Sequence, residues 1–174
     1  PELEFAPLAL WGVSAGGEFN YEFACWKPER TIAFIVNKGG IYYSSLAPEA
    51  TWDVPALFFA GADDSPYRNN IVKGIFSINR RFDAKWIFIE EAGVAHECED
   101  SERFTLSYFD EIIPLRIMKS KPDSFYKLKK LDSEGYIGVA STKQILPDSE
   151  KINSEITSWF PNKVIAKQWL EFIK

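Results

Sequence analysis

The sequence predicts an α/β fold in which a mostly parallel sheet is flanked by helices. Short apolar runs of strand length alternate along the chain with segments whose large apolar residues recur at helical spacing. The links between them are short, and this alternation is typical of βαβ units with parallel strands. With 174 residues, of which 46% are hydrophobic, the chain is long and apolar enough to form a packed domain.

Four apolar runs are predicted to be the strands of the sheet. The first is residues 6–12 (APLALWG), which glycine ends, and the second is residues 31–37 (TIAFIVN), which leads into a glycine pair. The third is residues 54–61 (VPALFFAG) and the fourth is residues 84–91 (AKWIFIEE). Continuous apolar runs are expected for strands that are buried on both faces of a parallel sheet.

The segments between the strands have the apolar spacing of amphipathic helices. In residues 16–26, Phe19, Phe23 and Trp26 recur at this spacing, and Pro28 ends the helix. The same spacing predicts helices around Ile71, Ile75, Ile78 and Phe82, over residues 101–113, and after Pro161-Asn162.

The prediction divides the chain into a core, residues 1–116, and a C-terminal extension, residues 117–174, that packs on the same domain. Residues 117–150 contain two prolines and have mixed polarity, which interrupts the alternation of strands and helices. We therefore expect the extension to be rich in loops and to end in a helix.

Charge and composition exclude several kinds of partner. The net charge of −5 and the isoelectric point near 5.0 argue against nucleic acid, because its phosphates attract basic surfaces. No apolar run approaches the ~18 residues that a membrane span needs. The two cysteines, Cys25 and Cys98, lack the spacing of metal ligands and are expected to be free thiols, so no metal site is predicted.

The chemistry in the sequence centres on Gly12-Val13-Ser14-Ala15-Gly16, a G-x-S-x-G motif between the first predicted strand and the first helix. A serine there lies on a sharp turn, and a side chain at Gly12 or Gly16 is expected to collide with the flanking strand or helix. The turn aims the Ser14 hydroxyl out of the sheet and leaves the Ala15 N–H at a helix N-terminus, where it can receive a developing oxyanion. The alternative is a glycine-rich turn that serves only packing.

A serine hydroxyl is a poor nucleophile unless a base takes its proton. The chain has one histidine, His96, in the loop after the fourth strand, and Asp63 and Asp64 follow the third strand. Because the carboxyl ends of parallel strands meet at one edge of the sheet, we expect these residues near Ser14. Successive residues point in opposite directions, so one aspartate is expected to orient the imidazole and the other to form the turn before Pro66.

The order Ser14, Asp64, His96 along successive strand ends resembles that of the α/β-hydrolase superfamily. The segment GVSAGGEFNYEFACWKPERTIAFIVNKGG is similar to the family's nucleophile elbow, its helix and its next strand. VPALFFAGADD is similar to the acid strand, in which G-x-x-D implies Asp64 as the acid, and AGVAHE is similar to the histidine loop. The resemblance covers about residues 5–116 and points to the capless branch of dienelactone-hydrolase-like, polyhydroxybutyrate-depolymerase-like and carbohydrate-esterase-like proteins.

This resemblance implies a serine esterase that cleaves carboxylic esters through an acyl-enzyme intermediate, without a metal or other cofactor. Ser14 would be the nucleophile, His96 the base, Asp64 the acid of the triad, and the Ala15 N–H part of the oxyanion hole. Two alternatives stay open. One is a serine peptidase of the same fold, and the other is a non-catalytic binding module that keeps the scaffold.

The resemblance also implies a partner, because the family's sheet has several strands before the elbow and a loop there supplies the second oxyanion donor. The first strand of this chain begins within a few residues of Pro1. The sequence therefore predicts the C-terminal half of the fold, with the N-terminal half supplied by the same polypeptide or by another chain.

Four aromatic residues are candidates for substrate binding. Tyr42 and Tyr43 follow the second strand, Trp52 precedes the third strand, and Tyr67 follows the acid. Such side chains line acyl or sugar pockets, and they equally often cover a core with the polar tip in water. The expected substrate is a small-molecule or carbohydrate-linked ester.

Overall fold

A computed structural model of the chain describes residues 6–118, 127–132, 134–150, 152 and 157–173. Four parallel strands form the main sheet in the order β1-β2-β3-β4, and helices flank it, so the predicted α/β class is confirmed. These strands are β1 (Leu8–Leu10), β2 (Thr31–Asn37), β3 (Ala56–Gly61) and β4 (Trp86–Glu91). The first is shorter than the apolar run that predicted it, because only three residues pair with β2.

The helices follow the strands as expected for crossovers between parallel neighbours. They are α1 (Ala15–Trp26), α2 (Glu49–Trp52), α3 (Pro66–Arg80) and α4 (Ser101–Arg116), with a 3-10 turn at Pro28–Arg30. Within the described part of the chain, each helix is too short or too polar to cross a membrane.

The sheet separates two apolar layers, because successive residues of a strand point to opposite faces. In β2, Phe34 and Val36 face α1 and α3, where they pack with Tyr21 and Phe76. Ile35 belongs to the other layer, which includes side chains of α4. Burial on both faces explains why the strands are continuously apolar in sequence.

The C-terminal extension contains a small antiparallel sheet as well as loops. Its order is β6-β5-β7, formed by β5 (Tyr136–Val139), β6 (Gln144–Pro147) and β7 (Thr157–Phe160), and α5 (Lys163–Phe172) follows it. Its strands of four residues carry little periodicity of their own, and their pairing partners lie elsewhere in the chain, so the sequence pattern did not reveal them.

The extension protects one edge of the main sheet. Ser158 Oγ accepts a hydrogen bond from the Phe88 N–H at 2.9 Å, and the Trp169 indole donates to the Phe88 carbonyl at 2.9 Å. These side chains satisfy backbone groups on the outer side of β4, which would otherwise form an open strand edge. Trp159, Ile165 and Trp169 share an apolar cluster with strands of the main sheet, so the extension packs on the same core.

Candidate active site

Ser14 lies on a strained turn between β1 and α1. Val13 forms a bridge with Asn37 beyond the end of β1, and the Ser14 N–H donates to the Asn37 carbonyl at 2.8 Å. Ser14 has φ 55° and ψ −121°, and α1 begins at the next residue. Positive φ is costly for a residue with a Cβ atom, and such residues persist where the surrounding structure holds them. The strand-to-helix turn expected for the motif is therefore present.

The two glycines of the motif differ in their surroundings. A Cβ atom at Gly12 would lie 2.8 Å from the carbonyl carbon of Gly16, whereas a Cβ atom at Gly16 would meet nothing within 4 Å. The crowding predicted at Gly12 is thus found, and the crowding predicted at Gly16 is not. At Gly12 it is the Gly16 backbone, rather than a side chain, that approaches closely, so there is no flexible group to move aside.

These contacts predict opposite effects for two alanine substitutions. Gly12→Ala is expected to destabilise the fold by about 1–3 kcal/mol, because backbone atoms must shift to admit the methyl group. Gly16→Ala, the matched control in the first turn of α1, is expected to be neutral or to stabilise by up to ~1 kcal/mol through helix propensity. Urea unfolding of both variants measures the difference. Equal stability of the two variants would contradict the close approach at Gly12.

Asp64 and His96 form a pair at the same edge of the sheet. The distance between His96 Nδ1 and Asp64 Oδ2 is 2.9 Å, and the side chains are 38% and 6% exposed respectively. An Nδ1–H that donates to the carboxylate leaves Nε2 with its lone pair, which is the form of imidazole that accepts a proton. Asp63 is exposed, and its backbone N–H donates to the Val94 carbonyl at 2.9 Å. Of the two aspartates, Asp64 is thus the one that contacts His96.

The Asp64 carboxylate is held in its ionised form. Burial raises its pKa, but hydrogen bonds from His96 and the Ser65 N–H, with the charges of His96 and Arg68, outweigh burial and lower the pKa below its usual value. The Ser65 N–H lies 2.6 Å from Oδ1 and Arg68 Nε lies 3.2 Å from Oδ2. The carboxylate is therefore oriented from several sides and is able to stabilise a positively charged imidazole.

Gly61 allows the histidine loop to approach the end of β3. A Cβ atom at Gly61 would overlap the carbonyl oxygens of Val94 and Ala95. These two residues directly precede His96, so the absence of a side chain at Gly61 sets how closely the loop packs against the strand that carries Asp64.

No hydrogen bond joins Ser14 Oγ to the pair, and among the described residues neither Ser14 Oγ nor His96 Nε2 has a hydrogen-bond partner. Ser14, Asp64 and His96 follow β1, β3 and β4 at the carboxyl edge of the sheet, and two of the three are in direct contact. The nucleophile–base hydrogen bond is often long in free enzymes and tightens with substrate.

The Ala15 N–H is available at the N-terminus of α1. Within the described ranges it has no acceptor, whereas the Gly16 N–H donates to the Val13 carbonyl at 3.0 Å. Ala15 is exposed, and the helix that it begins has 12 residues. A free N–H at this position carries the partial positive charge of the helix terminus and is able to bind an oxyanion.

The four aromatic candidates lie in different places. Tyr42 and Tyr67 line a cavity of about 470 Å³ between the loop after β2 and one side of α3. Tyr43 is 96% exposed. Trp52 lies at the opposite, amino-terminal edge of the sheet, where it stacks on Phe82 at 4.7 Å and donates to Asn79 Oδ1 at 2.9 Å. The structure therefore does not bring Trp52 to the edge that carries Ser14, although its sequence position suggested a rim residue.

A larger cavity, of about 1140 Å³, lies between α3 and the small antiparallel sheet. It is lined by charged and aromatic side chains that include Arg80, Lys85 and Trp159. None of the candidate site residues lines it. Its size alone does not make it the site.

The sequence pattern does not identify four polar residues at the carboxyl edge. They are buried, and they form a cluster directly beneath the turn and the histidine loop: Asn37, Lys38, Glu91 and Ser101. The signal in the sequence is the change from an apolar strand to Asn-Lys in TIAFIVNK and to Glu-Glu in WIFIEE. Such changes usually indicate where a strand reaches solvent, and only the packing of the loops shows that these side chains are covered.

Comparison of the chain with protein-family models, with curated proteins and with solved structures finds no match. The resemblance to the α/β-hydrolase superfamily therefore stays a prediction from sequence motifs.

Proposed function

We propose that the protein is a serine hydrolase that cleaves carboxylic esters. The observation that carries the proposal is the contact of Asp64 with His96 at the sheet edge where Ser14 occupies a positive-φ turn. Nucleophile, base and orienting acid are the three roles that ester hydrolysis by serine needs. The order of these residues along the chain is the order that the family resemblance implies.

In the proposed reaction, Ser14 Oγ attacks the carbonyl carbon of the ester while His96 Nε2 takes the hydroxyl proton. Asp64 holds the imidazole through Nδ1 and stabilises its positive charge. His96 then returns the proton to the departing alcohol as the acyl-enzyme forms. A water molecule attacks the acyl-enzyme while His96 Nε2 takes its proton. His96 then returns this proton to Ser14 Oγ as the carboxylic acid leaves. The chain's own groups supply the nucleophile, the base and the carboxylate that stabilises the charged imidazole, so the proposed reaction needs no metal or cofactor.

The Ala15 N–H supports the oxyanion in this proposal, and a second donor comes from a partner segment. One hydrogen-bond donor of this kind contributes about 10²–10³-fold to the rate. Among the described residues β1 pairs only with β2, which leaves its outer side open. Trp11, Phe19 and Trp26, close to β1 or on α1, are 43%, 61% and 71% exposed. An N-terminal half of the fold, from this polypeptide or another, would cover the open strand and these rings.

The cavity beside Tyr42 and Tyr67 is the proposed place for one side of the substrate. Its lining includes Ile71 and Ile75. Tyr67, which also lines it, is only three residues after Asp64 in the chain. An apolar lining with a few polar groups suits the acyl or alcohol part of a small ester better than a charged ligand. The same proposal allows a carbohydrate-linked ester, since tyrosine rings also pack against sugars.

Labelling by a serine-directed phosphonate tests the proposal. The chain is expected to take up one equivalent, because the activated Ser14 oxygen attacks phosphorus, and peptide mass analysis should locate the adduct on Ser14. Ser44→Ala is the matched control, since Ser44 is an exposed serine in the loop after β2. That variant should label like the wild type, whereas Ser14→Ala should not label.

The outcome separates the alternatives. A binding module stays unlabelled, even when a complete N-terminal half is present. A peptidase is labelled but cleaves short peptides faster than aryl esters. Full ester turnover by the 174-residue chain alone as a monomer would contradict the proposed partner segment while leaving the esterase proposal in place.

A further inference from the structure

A buried ion pair lies beneath the candidate site. Lys38 follows β2 and Glu91 ends β4, and their side chains, 0% and 3% exposed, contact each other directly. Taking two charges out of water is costly, and an apolar pair of similar volume is often at least as stable. Neither residue has a role in the proposed chemistry. Their placement therefore calls for a reason other than stability alone.

The pair belongs to a closed ring of hydrogen bonds. Lys38 Nζ donates to Asn37 Oδ1 at 3.1 Å, and Asn37 Nδ2 donates to Ser101 Oγ at 3.0 Å. The Ser101 N–H then donates to Glu91 Oε1 at 3.1 Å, and the other carboxylate oxygen of Glu91 binds Lys38. A network whose members are all satisfied restricts the positions of the elements that carry them. We call these four residues the basal ring.

The basal ring holds both ends of the loop that carries His96. Glu91 is the last residue before this loop, residues 92–100, and Ser101 is the first residue after it. The hydrogen bond from the Ser101 N–H to the Glu91 carboxylate closes the loop at its base. Cys98, inside the loop, also contacts the ring, with its Sγ 3.4 Å from Ser101 Oγ.

The basal ring also holds the turn that carries Ser14. The Ser14 N–H donates to the Asn37 carbonyl at 2.8 Å, and the side chain of the same Asn37 is a member of the ring. Lys38 adopts φ 54°, a conformation that favours glycine, although a charged side chain is buried there. Its backbone N–H donates to the Phe59 carbonyl at 3.0 Å, which fixes it to β3 as well. Strained backbone conformations of this kind persist where the surrounding structure fixes them, and they are concentrated at functional sites.

We propose that Lys38 and Glu91 are positioning residues, which set the distance and direction between His96 and Ser14 by joining the two loops through the basal ring. This inference rests on the proposed function. It adds that the alignment of base and nucleophile depends on a buried ion pair that touches neither the substrate nor the triad side chains. Small displacements between reacting groups have large effects on rate, so the pair should affect catalysis and not stability alone.

Glu91→Gln tests the inference, because the amide keeps the shape and an oxygen acceptor for the Ser101 N–H but loses the ion pair. We expect kcat per phosphonate-titrated serine to fall about 100-fold, with KM within about threefold of the wild-type value. Glu90→Gln is the matched control, since Glu90 is the adjacent residue, has an exposed side chain and pairs with Lys73 at 2.5 Å. Its kcat should match the wild type. All rates are measured at a temperature where circular dichroism shows each variant folded.

A purely structural role gives a different result. Glu91→Gln would then unfold at lower temperature but keep wild-type kcat per titrated serine, and this result would overturn the inference. If Glu91→Gln does not fold, the double variant Lys38→Met with Glu91→Gln decides, since it removes the ion pair and leaves neither charge buried without a partner. It is expected to lower kcat about 10-fold, and an unchanged kcat would again overturn the inference. A wild-type protein that neither labels nor hydrolyses esters would overturn the proposed function, and this inference with it.

Discussion

Ser14→Ala is expected to lower kcat for an aryl ester by about 10⁴-fold or more, with little change in the free energy of unfolding. The substitution removes the oxygen that attacks the ester in the proposed mechanism, and the remaining groups retain only the acceleration due to binding and the oxyanion donor. The methyl group of alanine keeps the Cβ atom, so the positive-φ turn between β1 and α1 is not made more strained. Stopped-flow release of the aryl alcohol measures the effect.

Ser44→Ala provides the control for this experiment. Ser44 is exposed, and its hydroxyl donates to the Leu46 carbonyl at 2.8 Å, away from Asp64 and His96. Its kcat should stay within about twofold of the wild type. If Ser14→Ala retains wild-type turnover, the assignment of the nucleophile is wrong and the turn has another role.

Asp64→Asn is expected to lower kcat by about 10⁴-fold, because an asparagine amide that donates to Nδ1 leaves the proton on Nε2, the wrong tautomer for a base. Asp63→Asn is the matched control, since Asp63 is the neighbouring, exposed carboxylate, and kcat should be close to the wild-type value. The steady-state rate on the same aryl ester compares the two. A larger loss in Asp63→Asn than in Asp64→Asn would show that the acid has been misassigned.

The same pair of variants has a pH signature in stability. The pKa of Asp64 is lowered in the folded protein, so its ionised carboxylate favours the folded state above its unfolded pKa of about 3.9. This contribution is lost as the pH falls through the lowered, folded-state pKa. The difference in unfolding free energy between wild type and Asp64→Asn should therefore be largest near neutral pH and shrink below about pH 4. Urea unfolding at a series of pH values measures it.

Part of the candidate site was accessible from the sequence because it follows from local rules. Apolar runs that alternate with helical spacing predict parallel strands, and the ends of parallel strands lie at one edge. From this rule the sequence predicts that Ser14, the Asp63-Asp64 pair and His96 lie near one another, and the structure shows the contact between Asp64 and His96. For the C-terminal extension, the sequence predicts the loops and the final helix but not the small antiparallel sheet, because its short strands are recognisable only by their pairing.

The choice between neighbouring residues was decided by the tertiary structure. Asp64 rather than Asp63 contacts His96 because of how the loops after β3 and β4 pack on each other, with Gly61 admitting the Val94 and Ala95 carbonyls. Glu91 is buried and Glu90 is exposed because one-residue alternation along β4 sends them to opposite sides. The sequence does not show either difference, because the two residues of each pair, Asp63-Asp64 and Glu90-Glu91, are of the same type.

The sequence by itself determined the α/β class and the order in which the polar loops reach one sheet edge, since both depend on short-range periodicity. Only the tertiary structure reveals the basal ring, because its hydrogen bonds join residues that are far apart in the chain. Lys38 and Glu91 are separated by 53 positions, and Asn37 and Ser101 by 64 positions. The tertiary structure also decided that Trp52 lies at the far edge and that the crowded glycine is Gly12 rather than Gly16. Contacts of this kind arise from register and packing between distant segments, which no local pattern encodes.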